Sequence, residues 1–171
     1  MESFKEIIKI YKRVVRLNAK TLMEWEQKHD AKNRTINGFW ESFRKWREEE
    51  KYDYLDTFKG KLYDEFILVY ERSIELKYRF SRIEAFLIFT VDIYYFDKEI
   101  GTYSLEFDLD GEVTDDYLVF DHILLDHRIS EIRHNLTTVR KALKEGIDLN
   151  LITNITGIDQ PSIEIIKKKY C

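Results

Sequence analysis

Apolar residues recur along this chain at two different spacings, and the switches between them divide it into helical and extended parts. Phe4, Ile7, Ile8, Tyr11, Val14, Val15, Leu22 and Trp25 fall at the three- and four-residue steps that line one face of a helix. Ser3 and Glu6 form a capping box before that run, in which a hydroxyl and a carboxylate satisfy the free amides of a helix start. A long first helix to about residue 28 is the expectation. Asn37-Gly38 predicts a break, after which Phe39, Trp40, Phe43 and Trp46 resume helical spacing as far as Glu48-Glu49-Glu50. Between 53 and 72 the evidence is divided. Leu55, Phe58, Leu62, Phe66 and Val69 suit a helix, which is the reading adopted, while Phe66 to Tyr70 would also suit a buried strand.

The period then becomes two. Ile74, Leu76, Tyr78 and Phe80 alternate with Glu75, Lys77 and Arg79, and a second strand runs from Ile83 to Phe96. Asp97 to Gly101 predicts a turn, Tyr103, Leu105, Phe107 and Leu109 alternate again, and Asp110-Gly111 is a hairpin signal leading to a last strand at Tyr117 to Phe120. Connections this short exclude parallel crossovers. From about 121 the helical period returns: Leu125, Ile129, Ile132, Leu136, Val139 and Leu143 are spaced four, three, four, three, four, up to Gly146. Such a seam packs a helix on its own sheet or, alternatively, forms a homodimer along Leu125 to Leu143. The fold class is therefore α+β: a long N-terminal helix and a second helix, an antiparallel β-meander of about four strands, and a C-terminal helix with a short helix-turn-helix-like tail. The chain reads as one domain, 1–171, with 146–171 as a small helical appendage.

Composition narrows the class. With 44% hydrophobic and 15% aromatic residues the chain can bury a core, and disorder is excluded. Its single cysteine, Cys171, forms no internal disulfide, and charges stand where a signal peptide would place its apolar region, so a cytoplasmic protein is expected. The stretch from Ala85 to Phe96 is far short of the ~20 residues of a membrane helix. Abundant Ile, Lys, Glu, Tyr and Phe beside one proline point to an AT-rich genome, that of a low-GC bacterium or its phage.

Charge is unevenly placed. Residues 1–50 carry twelve basic and nine acidic side chains, a net of +3, whereas 91–126 carry one basic and eleven acidic, a net of −10. Glu106, Asp108, Asp110, Glu112, Asp115 and Asp116 lie within eleven residues, and alternation sets Glu106, Asp108 and Asp110 opposite the apolar Tyr103 to Leu109 series, on a solvated face. Such a surface attracts a basic partner. The acidic turn lacks the glycine and glutamate positions of a calcium loop. Lys5, Lys9, Lys12, Arg16 and Lys20 form one stripe on the first helix, the kind of clustered cation that nucleic-acid phosphates need.

Other constellations carry less chemistry. His127, Glu131 and His134 share a helix side with His122 nearby, but that side lies opposite the apolar seam, an exposed face rather than a metal site. Glu75-Leu76-Lys77 has the E-x-K spacing of PD-(D/E)XK nucleases, with Asp64 upstream. A hairpin turning near Ser73 would separate Asp64 from Glu75, so no catalytic residue, metal or cofactor is assigned. In the tail, Gly146-Ile147 followed by Ile152, Ile155-Thr156-Gly157-Ile158-Asp159 resembles an element of bacterial helix-turn-helix segments and of transposase-associated PD-(D/E)XK proteins. That resemblance implies a cap at Asp159, a buried Ile163 and Ile166, and a mobile-element context, although Gln160, Pro161, Ser162 and Glu164 replace base-reading residues.

The expected function is a non-catalytic intracellular protein-binding module, an inhibitor, immunity or anti-defence protein of a phage or mobile element, that meets a basic partner through the acidic sheet surface. The alternative is a DNA-binding regulator using the tail and the basic first helix.

Overall fold

The computed structural model describes residues 18–82, 84–120 and 122–170. The fold is α+β, with six α-helices among the described residues and a four-stranded antiparallel meander in the order β1-β2-β3-β4. The elements are α1 (Ala19–His29), α2 (Ala31–Glu49), α3 (Lys51–Thr57), β1 (Ile67–Arg79), β2 (Glu84–Tyr95), β3 (Lys98–Asp108), β4 (Val113–Val119), α4 (His122–Lys144), α5 (Leu149–Thr156) and α6 (Gln160–Tyr170). The described residues divide into two compact units, one within 18–49, 69–93 and 101–119, the other within 50–68, 94–100 and 120–170.

In the first unit, α1 and α2 cover one sheet face. The odd-numbered side chains of β3, Tyr103, Leu105 and Phe107, are buried, as are Leu87, Val91 and Ile93 of β2. Phe39 and Phe43 of α2 stack on each other, and Phe39 meets Tyr103 edge-on, a favourable aromatic geometry. Trp25 of α1 lies edge-on to Phe107 and donates its indole N–H to the Leu109 carbonyl at 3.0 Å.

The expected first helix is corrected at Asn18. Its extended backbone and its side chain, which accepts from the Thr21 amide, cap a helix that starts at Ala19. The part of that expectation at residues 1–17, with the Ser3/Glu6 capping box, lies outside the described residues. The break expected at Asn37-Gly38 is also overturned, because α2 runs straight through it. The interruption sits at Asp30, which takes the left-handed conformation (φ 52°) between α1 and α2. Gly38 serves space instead: a Cβ there would lie 2.9 Å from the Tyr103 hydroxyl.

The helix expected over 53–72 covers only α3. The chain then makes a 3-10 turn at Asp64–Phe66 and enters β1, which continues unbroken through Ser73, so there is no hairpin at that residue. Two phases of alternation meet inside β1. Arg72 pairs with Asp92, and Arg79 lies over Phe86 and pairs with Glu84, so both point to the face that carries the even-numbered β2 side chains although they stand seven residues apart. A regular strand would put them on opposite faces. Glu71 and Ile74 show the same slip, since both turn to the helix-covered face, Glu71 through Lys32 and Ile74 against the Ala85, Leu87 and Leu109 cluster on which Leu22 and Trp25 also pack. The β2–β3 turn is tighter than expected, with Phe96 and Asp97 both left-handed (φ 48° and 60°), as a two-residue hairpin loop requires.

In the second unit the seam of α4 is buried: Leu125, Ile129, Ile132, Leu136 and Val139 are in the core, and Leu143 is half-buried. Helices α4, α5 and α6 pack on one another, so the seam serves this chain's own core. Gly157 ends α5 in the left-handed conformation, and Ile163 and Ile166 form the buried side of α6, as the tail pattern implied. Arg133 donates to the carbonyls of Phe58 and Lys61, tying α4 to the loop after α3. No helix among the described residues is long and apolar enough to cross a membrane.

Candidate functional site

The six acidic residues around the β3–β4 hairpin do not form one solvated face. Glu106 is only 4% exposed. Its carboxylate accepts from the Arg79 guanidinium (2.8 Å) and from the Thr114 hydroxyl (3.0 Å), with the Tyr117 hydroxyl at 3.5 Å. Its inclusion in an open partner-binding surface is therefore corrected. β1 places Arg79 across the sheet from it, and a carboxylate taken out of water requires such a partner.

The others sit at the hairpin and along β4. Asp108 shapes the turn, its Oδ1 accepting from the amides of Asp110 (2.8 Å) and Glu112 (2.9 Å). Gly111 completes it at φ 91°, where its missing side chain leaves room for the His29 ring and its carbonyl accepts from Arg34. Burial foremost, with Lys28 and Arg34 nearby, holds His29 below its ordinary pKa. Asp115 accepts from the Tyr117 hydroxyl (2.8 Å) and from the Asp116 amide, an interaction that raises the Tyr117 pKa. Asp116 reaches back to α2, accepting from the hydroxyls of Ser42 and Tyr103, each at 3.0 Å. Burial first, and then that carboxylate, push the Tyr103 hydroxyl up to about 12.

Asp110, Glu112, Asp115 and Asp116 are exposed, and the same stretch presents Val113, Tyr117 and Val119 to solvent. β4 is the last strand of the sheet, and its register with β3 slips at Thr114 between the pairs Glu106–Asp115 and Phe107–Val113. A strand edge that mixes carboxylates with β-branched and aromatic side chains can pair with another extended chain. Beside it runs a groove of about 430 Å³ whose lining includes Arg34, Gly38, Glu41, Ser42, Tyr103 and Asp116. Sequence reasoning missed Gly38, Glu41, Ser42 and Tyr103, which approach Asp116 only through folding. The one available signal was a glycine inside an apolar-periodic helix.

The remaining candidates disperse. Of the basic stripe, Lys5, Lys9, Lys12 and Arg16 lie outside the described residues, and Lys20 pairs with Glu24 one turn along α1. His127, Glu131 and His134 are exposed on α4, with Glu131 bound to Lys98 at 2.7 Å, while the side chain of His122 is not among those described. No group of three His, Cys, Asp or Glu residues among the described ones could hold a metal ion. Glu75 pairs with Lys77 along β1.

A second cleft, of about 410 Å³, lies in the second unit, with Phe66, Phe96, Ile132 and Ile158 among its walls. The charges at its rim hold the fold together. Glu65 accepts from Lys169 (2.9 Å) and Tyr170 (2.6 Å) of α6, while Lys98 binds Glu131. Fold and site thus define an α+β protein with an acidic strand edge. Comparison with protein-family models, with curated proteins and with solved structures finds no match.

Proposed function

We propose that this protein is a non-catalytic binding module that takes a basic, extended segment of a partner protein along the outer edge of β4. The carrying observation is the coincidence of four exposed carboxylates, Asp110, Glu112, Asp115 and Asp116, with exposed Val113, Tyr117 and Val119 on the last strand of the sheet. The outer backbone edge, unpaired by any described strand, supplies hydrogen bonds, the apolar side chains supply area, and the carboxylates select lysine and arginine and speed encounter. Such a module suits an inhibitor or immunity protein that masks a basic surface.

The test uses a synthetic peptide alternating lysine with valine, and an otherwise equal peptide carrying glutamate for lysine. Binding of the basic peptide alone is expected, with amide shifts concentrated at 113–119 and affinity falling as salt rises. Asp110→Lys, Glu112→Lys and Asp115→Lys together should weaken it at least about tenfold. Asp108 and Asp116 are left in place because they hold the turn and α2. Shifts elsewhere, or equal binding of both peptides, would reject the reading. Submicromolar binding of nonspecific DNA that weakens steeply with salt would favour the DNA-binding alternative.

A further inference from the structure

The opposite edge of the sheet carries a different chemistry. β1 is the first strand in the sheet order, and its 13 residues make a long edge. Long exposed edges invite pairing with another chain unless they are blocked. Tyr70 is 51% exposed, Tyr78 36%, and Phe80, just past the strand, 85%. The charges between them are of both signs: Glu71, Arg72, Glu75, Lys77 and Arg79. Such a strand carries a net charge of only +1, and its own reverse sets Arg72 opposite Glu75.

We infer that the β1 edge is a self-association surface, and that its occupant is β1 of a second copy of this chain, antiparallel about a two-fold axis between Ser73 and Ile74. That axis sets Arg72 against Glu75 of the second copy, twice by symmetry, and Tyr70 against Lys77 of the second copy. The change of alternation phase inside β1 makes this register consistent. Arg72 and Arg79 point to the same face although they are seven residues apart, so the half-strand before Ser73 and the half after it have opposite parity. Antiparallel pairing of unlike halves therefore brings side chains of one face together, and the slip itself sits on the axis. No like charges meet. An isologous pair of this kind closes on itself and extends the sheet from four strands to eight across the interface.

The acidic β4 edge cannot substitute, because two copies of it would repel. β4 meeting β1 head to tail would grow into filaments instead of stopping at two.

Sedimentation equilibrium of the full chain tests the inference. A monomer–dimer equilibrium is expected, and Glu75→Arg should weaken it at least about tenfold by placing arginine against arginine. The exchange R72E/E75R, made together with Asp92→Asn because Arg72 also pairs with Asp92 within its own chain, should restore it. Phe80→Lys gives an independent, milder loss, and circular dichroism checks that each variant stays folded. A wild-type chain that remains monomeric up to about 1 mM overturns the proposal. So does a dimer indifferent to E75R, or an open-ended polymer.

Discussion

Arg79 on β1 donates to Glu106 on β3 over 2.8 Å while its other nitrogen donates to Glu84 and its plane lies over Phe86. The two ends of this pair are unequal. Arg79 has a second carboxylate, but Glu106, nearly buried, has among the described residues no second cation and otherwise only hydroxyl donors. Removing the arginine is the more damaging change, since it strands a charge away from water. In urea unfolding, Arg79→Ala should lower the midpoint more than Glu106→Gln, and adding Glu106→Gln to Arg79→Ala should recover part of the loss.

Gly111 and Gly157 are both left-handed, at φ 91° and 71°, but their surroundings differ. Around Gly157 nothing lies within 4 Å of an added Cβ, so Gly157→Ala carries backbone strain alone, about 1 kcal/mol. At Gly111 the Cβ would fall on the His29 ring, so Gly111→Ala should cost about 2 kcal/mol or more. Chemical denaturation of the two variants measures the difference, and equal losses would refute the His29 contact.

Replacing glycine by alanine inside an exposed helix ordinarily gains about 1 kcal/mol. Gly38→Ala should do the opposite here, because its Cβ would sit 2.9 Å from the Tyr103 hydroxyl oxygen. In a Tyr103→Phe background that oxygen is gone, and the same substitution should be milder by about 1 kcal/mol. The double-mutant cycle gives that coupling directly.

Partial burial alone would raise the Glu65 carboxyl, but hydrogen bonds from Tyr170, its own backbone and Lys169 outweigh it and hold the group at about 2. A carboxyl depressed on folding stabilises above the ordinary carboxylate range and loses that contribution as pH falls toward its folded value. The stability advantage of the wild type over Glu65→Gln should therefore be complete at neutral pH and fade between about pH 4.5 and about pH 2. Tyr170→Phe should raise the Glu65 midpoint, followed by NMR titration of its side-chain carbons.

Much of the fold was legible because single periodicities dominate long segments. The α4 seam and the alternation of Tyr103, Leu105 and Phe107 each report one buried face, and both faces are buried as the spacing requires. Misreadings arose where a residue answers to a distant neighbour. Gly38 looks like a break but makes room for Tyr103, while Asp30, the true interruption, has no glycine or proline beside it. β1 resisted assignment because its alternation changes phase midway. At the site, the hairpin and its carboxylates were visible, but the burial of Glu106 was not, since Arg79 stands 27 residues away and the sheet alone brings it near.

The indole of Trp25 is bonded to Leu109, and Arg34 to Gly111, so the surface that covers α1 and α2 is assembled mostly from residues made much later. On a ribosome the helices emerge first, with the Phe39–Phe43 stack and no sheet to receive it. Until the β3–β4 hairpin has left the exit tunnel, that aromatic face stays open to chaperones and to other nascent chains. Translation speed through the second hundred codons then sets how long the exposure lasts.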